Sequence, residues 1–174
     1  MPLFSTDKFQ IEIERNWKNI YNISETVIPP DEREVAAMID QIMEYNKKFV
    51  ENKGYEPFLT SKYPDKKLAI LTCMDTRLIE LLPAALGIKN GDAKIIKNAG
   101  GTMVHPYGSV VRSLLVGILE LGVEEVMVIG HTDCGVQGMD GKEMLELLEK
   151  RGIDKQHIDI VRHSGIDLEN WLGG

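Results

Sequence analysis

Long apolar runs are missing from this chain. No stretch approaches the ~18 consecutive apolar residues that a membrane-spanning helix needs, and the opening residues MPLFSTDKFQIEIERN are too charged for a secretory signal. Clusters of Lys and Arg are missing as well. With 20 basic against 27 acidic side chains, the net charge of −7 is spread along the chain without an acidic tail. Neither nucleic acid nor an anionic membrane surface is therefore an expected partner. Internal repeats and low-complexity tracts do not occur. Cysteine is scarce, with Cys73 and Cys134 the only two. These absences imply a cytoplasmic protein of one soluble domain, whose 174 residues and 43% hydrophobic content suffice for a core of its own. A disulfide is unnecessary in such a chain, and paired thiols in a reducing compartment more often bind metal or carry redox chemistry.

What is present falls into two parts. The break VIPPDERE ends whatever precedes it and lets Asp31 cap a helix with Glu32 and Glu34 in its first turn. Val35, Met38, Ile39, Ile42, Tyr45 and Phe49 then recur at helical spacing, so the helix is expected over about Asp31 to Val50. Residues 7–22 fit both a strand and a helix face, and helix is preferred. From YPDKK onward, short apolar runs alternate with amphipathic segments, the pattern of a parallel α/β sheet. Strands are expected at Leu68 to Thr72, Lys94 to Lys97 and Glu125 to Ile129. Helices are expected at about Leu78 to Leu86, Ser109 to Leu121 and Lys142 to Lys150. Residues 1–64 thus read as an N-terminal helical arm packing on a partner subunit, and 65–174 as an α/β core. If the first strand lies between the other two, the order is 2-1-3, and right-handed crossovers place helices on both faces. Met74, Leu81, Leu82, Leu114, Leu115, Ile118 and Leu119 are expected in the core.

Where the strand order reverses, the carboxyl ends of the strands open into a crevice that usually holds the ligand. CMDTRL begins as the first strand ends, and GHTDCG follows the third. That brings Cys73 to the same place as His131 and Cys134. Two thiolates and one imidazole suit a tetrahedral Zn2+, and three protein ligands leave its fourth position open, as in catalytic sites. A structural zinc site would close the tetrahedron from a second short-spaced Cys or His pair, which the chain does not have. The competing reading is a buried cysteine acting as a small hydrophobe. No Cys-x-x-Cys redox pair occurs.

CMDTRL, IKNAGG and GHTDCG, in this order and spacing, resemble the β-class carbonic anhydrases of the small prokaryotic type, over about Lys66 to Gly135. The resemblance implies zinc held by Cys73, His131 and Cys134, with Asp75 and Arg77 as the catalytic dyad. It also implies an α/β fold, a homodimer or higher homo-oligomer, and reversible hydration of carbon dioxide to bicarbonate and a proton by a metal-bound hydroxide. Asp75 would accept a hydrogen bond that fixes the nucleophile, and Arg77 would keep it ionised and placed. If Arg77 lets go, Asp75 can become a fourth metal ligand and close the site. Against the family pattern the N-terminal arm is longer and the C-terminal part shorter. The third strand is then an open edge unless FQIEIE or a partner chain covers it.

Gly100 and Gly101 allow either a substrate-pocket wall or a tight strand-to-helix turn. His105 in VHPYGS is either a proton relay or a solvated, turn-capping histidine. Two further functions fit the same residues: hydrolysis of carbonyl sulfide or carbon disulfide, and a catalytically silent zinc-binding scaffold. The Asp75 and Arg77 pair argues against the scaffold, because holding a metal does not require it.

Overall fold

The computed structural model describes residues 32–173. The expected Asp31 cap and residues 7–22 lie outside them. By their contacts the residues fall into two units, one reaching to Leu59 and including Leu147–Asp159, the other holding Thr60–Glu146 with the segment from Ile160 onward.

In the first unit, helix α1 spans Glu32–Glu51. Met38, Ile42 and Tyr45 lie exposed on it. Gly54 N donates to the Phe49 carbonyl at 2.8 Å and turns the chain into a single 3₁₀ turn, Glu56–Phe58. The Phe49 and Phe58 rings sit 6.3 Å apart, and Tyr55 is buried.

The second unit is built on a three-stranded parallel sheet. Its elements are β1 (Leu68–Cys73), α2 (Leu78–Leu86), β2 (Ala93–Asn98), α3 (Ser109–Glu120), β3 (Glu125–Ile129) and α4 (Gly141–Lys150). Each boundary lies within one residue of its expected place. Helix α4 continues from this unit into the first. The strand order is β2-β1-β3, as expected. Passing from β1 to β2 and then back across β1 to β3 reverses direction, so right-handed crossovers set α2 and α3 on opposite faces. The central strand LAILTC carries the core: Ile70, Leu71 and Thr72 are wholly buried. Ile70 and Cys73 pack on Leu78 and Leu82 of α2, with Leu68, Ile88, Ala93, Ile129 and Cys134 around them. Thr72 is the one polar member, and its hydroxyl donates to the Ile129 carbonyl at 3.0 Å, so its burial carries no unsatisfied group.

Two further helices were not expected, α5 (Lys155–His163) and α6 (Leu168–Leu172). Their signals are local. Asp154 accepts from Gln156 N at 2.8 Å, and Asp167 accepts from Asn170 N at 3.2 Å, both as carboxylates at a helix start.

The expected core list needs correction. Leu82 is buried and Leu114 half-buried. Met74, Leu81, Leu115, Ile118 and Leu119 are instead 46–74% exposed. A helix meets one face of a sheet along a single stripe. In α2 that stripe is Leu78 and Leu82, four residues apart; in α3 it runs through Leu114 and Gly117, the latter close against Val123. The corrected residues lie off those stripes, and nothing among the described residues covers them. Val126, Met127 and Val128 of β3 are likewise exposed, and β3 has no neighbour on its outer side among the described residues.

Candidate metal centre

Parallel register places the ligands. Thr72 pairs with Ile129, the last residue of β3, and Cys73, the last residue of β1, pairs with Asn98 of β2, so the loop that starts at Gly130 leaves beside Cys73 and delivers His131 and Cys134 over the end of β1. The ligand atoms of Cys73, His131 and Cys134 all lie within 4.8 Å of one another. The two sulfurs are 3.7 Å apart and both cysteines are free. A disulfide requires ~2.05 Å, whereas two sulfurs each ~2.3 Å from a tetrahedral ion are about 3.8 Å apart.

His131 is oriented by its own loop. Its Nδ1 lies 2.9 Å from the Thr132 carbonyl, a contact that puts the ring proton on Nδ1 and leaves the lone pair on Nε2. Nε2 is buried and has no hydrogen-bond partner among the described residues. A buried, unpartnered nitrogen facing two thiols fits a metal ligand, because an ion would supply the missing interaction. Burial pushes the Cys73 thiol up, but the His131 ring, backbone groups of Asp75 and Gly100 and the Cys134 thiol together outweigh it and bring it down to about 7. The nearby Cys73 sulfur in turn raises His131 above its usual range. Of the three donors it is Cys73 that these neighbours bring toward the thiolate a metal requires.

Beside it, Asp75 is gripped from both sides by Arg77. Arg77 Nε donates to Oδ1 at 2.9 Å and Nη2 to Oδ2 at 2.8 Å, while Arg77 N donates to Oδ1 at 2.8 Å. These contacts hold the carboxyl well below the usual carboxylate range and raise the guanidinium above its own. Asp75 Oδ2 lies 3.9 Å from His131 Nε2, so the carboxylate borders the ligand cluster with its oxygens committed to Arg77.

The other edge of the guanidinium reaches a residue that sequence reasoning passed over. Nη1 donates to Asp133 Oδ2 at 3.0 Å, and Nη2 donates to the Asp133 carbonyl at 2.7 Å. Asp133 sits between the two ligands of its loop with φ +55°. The available signal was chemical: an arginine with five donors needs acceptors beyond one carboxylate, and the second motif offers a carboxylate inside His-x-x-Cys.

The glycine loop after β2 meets the same place. At Gly101, φ +66°, an added Cβ would lie 2.9–3.1 Å from the backbone of Thr72 and Cys73; at Gly100, φ +76°, it would lie 2.9 Å from the Val136 side chain. The close approach is thus to the ligand-bearing backbone itself. Asn98, also passed over, clamps this loop by donating from Nδ2 to the Thr102 carbonyl at 2.6 Å and accepting from Thr102 N at 3.0 Å. His105 is exposed, and its Nδ1 accepts from Tyr107 N at 3.1 Å, the turn-capping geometry.

An α/β protein whose central strand ends in a thiol, with a second thiol and an imidazole closing over it, offers a candidate three-ligand metal centre. Comparison with known proteins narrows the class. The carbonic anhydrase family model matches residues 68–164. YtiB of Bacillus subtilis (strain 168), which bears an inferred carbonic anhydrase name, is 51% identical over 136 residues, 78% of this chain and 73% of that protein. A carbon disulfide hydrolase of Saccharolobus solfataricus is 36% identical over 96 residues, 55% of this chain and 45% of that one. The crystal structure of β-carbonic anhydrase isoform I from Trichomonas vaginalis aligns with a TM-score of 0.65 at 36% identity, covering 77% of this chain and 72% of that one. This chain belongs to the carbonic anhydrase family, in its β class.

Proposed function

We propose that the protein catalyses reversible hydration of carbon dioxide to bicarbonate and a proton at a zinc ion held by Cys73, His131 and Cys134. The observation that carries this reading is the convergence of two thiols 3.7 Å apart with a buried, unpartnered imidazole nitrogen, beside a carboxylate already fixed by arginine. Bound there, zinc supplies Lewis acidity and an acidified water at the fourth position.

The chain's own residues do the rest. Asp75 accepts a hydrogen bond from the nucleophile and aims it; Arg77 keeps Asp75 ionised and turned to that task. Asp75, whose two oxygens are held by Arg77, would be free to ligate the ion only if Arg77 released it. Gly100 and Gly101 keep side chains away from this end of the sheet, which suits a narrow pocket for a small linear substrate. His105 carries a proton outward only if its ring leaves the Tyr107 amide.

Among the described residues no helix is long and apolar enough to cross a membrane. A cytoplasmic location is our reading of the two free thiols, which a reducing compartment preserves. The unpaired apolar faces of α2 and α3 support a homodimer, with residues 1–64 as an arm packing on the partner.

The similarity to a carbon disulfide hydrolase keeps a second substrate class in view. Zinc analysis together with stopped-flow assays on carbon dioxide, carbonyl sulfide and carbon disulfide tests all readings at once. We expect about one zinc per chain and turnover of carbon dioxide above the other two. Turnover of a sulfur-containing gas alone would transfer the site to hydrolysis. A full zinc complement with no turnover would make it a silent scaffold.

A further inference from the structure

We infer that Asp133 is a positioning residue: it fixes the guanidinium of Arg77 from the side opposite Asp75, and through it the direction of the Asp75 carboxylate. The inference rests on the carbonic anhydrase reading for the purpose of the arrangement, while the arrangement itself is visible in the contacts.

Four hydrogen bonds from its guanidinium hold Arg77. The Nε and Nη2 edge grips both oxygens of Asp75; the Nη1 and Nη2 edge grips the carboxylate and the backbone carbonyl of Asp133. A guanidinium is planar and its donors are rigidly set, so engaging two edges fixes the plane, where one edge alone leaves it free to hinge about the Asp75 contact. Asp133 also lies within the loop that carries His131 and Cys134. The direction of Asp75 is thereby referenced to the same loop as two of the three candidate ligands, so that the carboxylate and those ligands share one support.

Stability does not account for the contact. The Asp133 side chain is 89% exposed and that of Arg77 53%, and ion pairs at such a surface contribute little to folding. Asp133 also adopts a left-handed backbone, which disfavours most residues and which Asp, Asn and Gly tolerate best. Asp133→Gly therefore removes the side-chain acceptor at no backbone cost, and Asp133→Asn keeps an acceptor and the same backbone without the charge.

The two variants are compared with the wild type as zinc-loaded full-length protein, reading metal content, kcat/KM for carbon dioxide hydration, and hydrogen exchange of the Arg77 Nε–H by ¹H–¹⁵N NMR. In Asp133→Gly we expect full zinc content, Nε–H exchange faster by about tenfold and kcat/KM lower by about tenfold, in the range seen when groups supporting a metal site are removed. Asp133→Asn is expected to restore both to within about twofold. Unchanged exchange and unchanged kcat/KM in Asp133→Gly would overturn the inference. So would loss of zinc with Arg77 still protected, which would make Asp133 a support for the ligand loop alone, or an Asp133→Asn variant as impaired as Asp133→Gly. If the wild type proves inactive on carbon dioxide, the exchange measurement still decides whether Asp133 holds Arg77.

Discussion

Arg77 shows how much of this site depends on shape rather than charge. Its fork meets Asp75 with two donors at 2.8–2.9 Å, and a lysine ammonium, a point charge on a flexible stem, cannot reproduce both contacts. Arg77→Lys should therefore leave zinc content unchanged while lowering kcat/KM for hydration by about 10- to 100-fold; stopped-flow assay with metal analysis on the same sample checks both halves. Cys134 should behave differently, because its sulfur is one of the three candidate ligand atoms. Cys134→Ala should remove one of three ligands and lower the zinc retained after dialysis to well under one per chain, and zinc determination by atomic absorption is the readout. The candidate ligand residues could be picked out in the sequence because thiols are so scarce here that each one stands out. Asp133 and Asn98 were not, since Asp and Asn occur throughout such a chain as ordinary surface and turn residues, and only the path of the loops shows what these two hold.

At the scale of elements, the site depends on backbone approach. The turn after β2 lies on the end of β1 so closely that Gly101 has Thr72 and Cys73 backbone where a Cβ would stand. Gly101→Ala adds this clash to a left-handed backbone and should destabilise the fold by roughly 1–3 kcal/mol, read as a lower urea midpoint at unchanged m. Gly87, which ends α2 at φ +62° with nothing within 4 Å of an added Cβ, is the control. Gly87→Ala meets only the backbone strain and should lose less. Strands and long helices were legible because their apolar periods are set by local geometry. The five-residue α6 was not, because in so few turns a period hardly develops and only its Asp cap remains as a signal; α5 is as long as α2, and its signals, the Asp154 cap and the spacing of Ile158 and Val161, were passed over in a polar segment.

For the whole molecule, the exposed apolar residues matter most. Ile79 and Leu81 on α2, Leu115, Ile118 and Leu119 on α3, and Val128 on β3 leave more large apolar side chains in contact with water than isolated surface residues would explain. A dimer burying the α3 face predicts that Leu119→Glu, which sets a charge at a residue 74% exposed in the single chain, shifts the protein toward monomer with little change in the chain's own fold. Light scattering with circular dichroism tests this, and a wild type that is already monomeric would remove the dimer. The periodicity that located α3 could not tell an apolar face turned to the chain's own sheet from one turned to a partner. Leu115, Ile118 and Leu119, assigned to the core on that basis, are exposed in the single chain.

By itself, the sequence determined the strands, the helices that join them and the identity of the candidate ligands. Each of these is encoded locally, in the period of apolar residues or in the rarity of a side chain. The tertiary structure alone decided that His131 presents an unpartnered Nε2, that Arg77 is held on two edges, and that the glycine loop rests on the ligand strand. Those facts depend on where loops distant in sequence come to lie, and only the packed sheet fixes the distances between them.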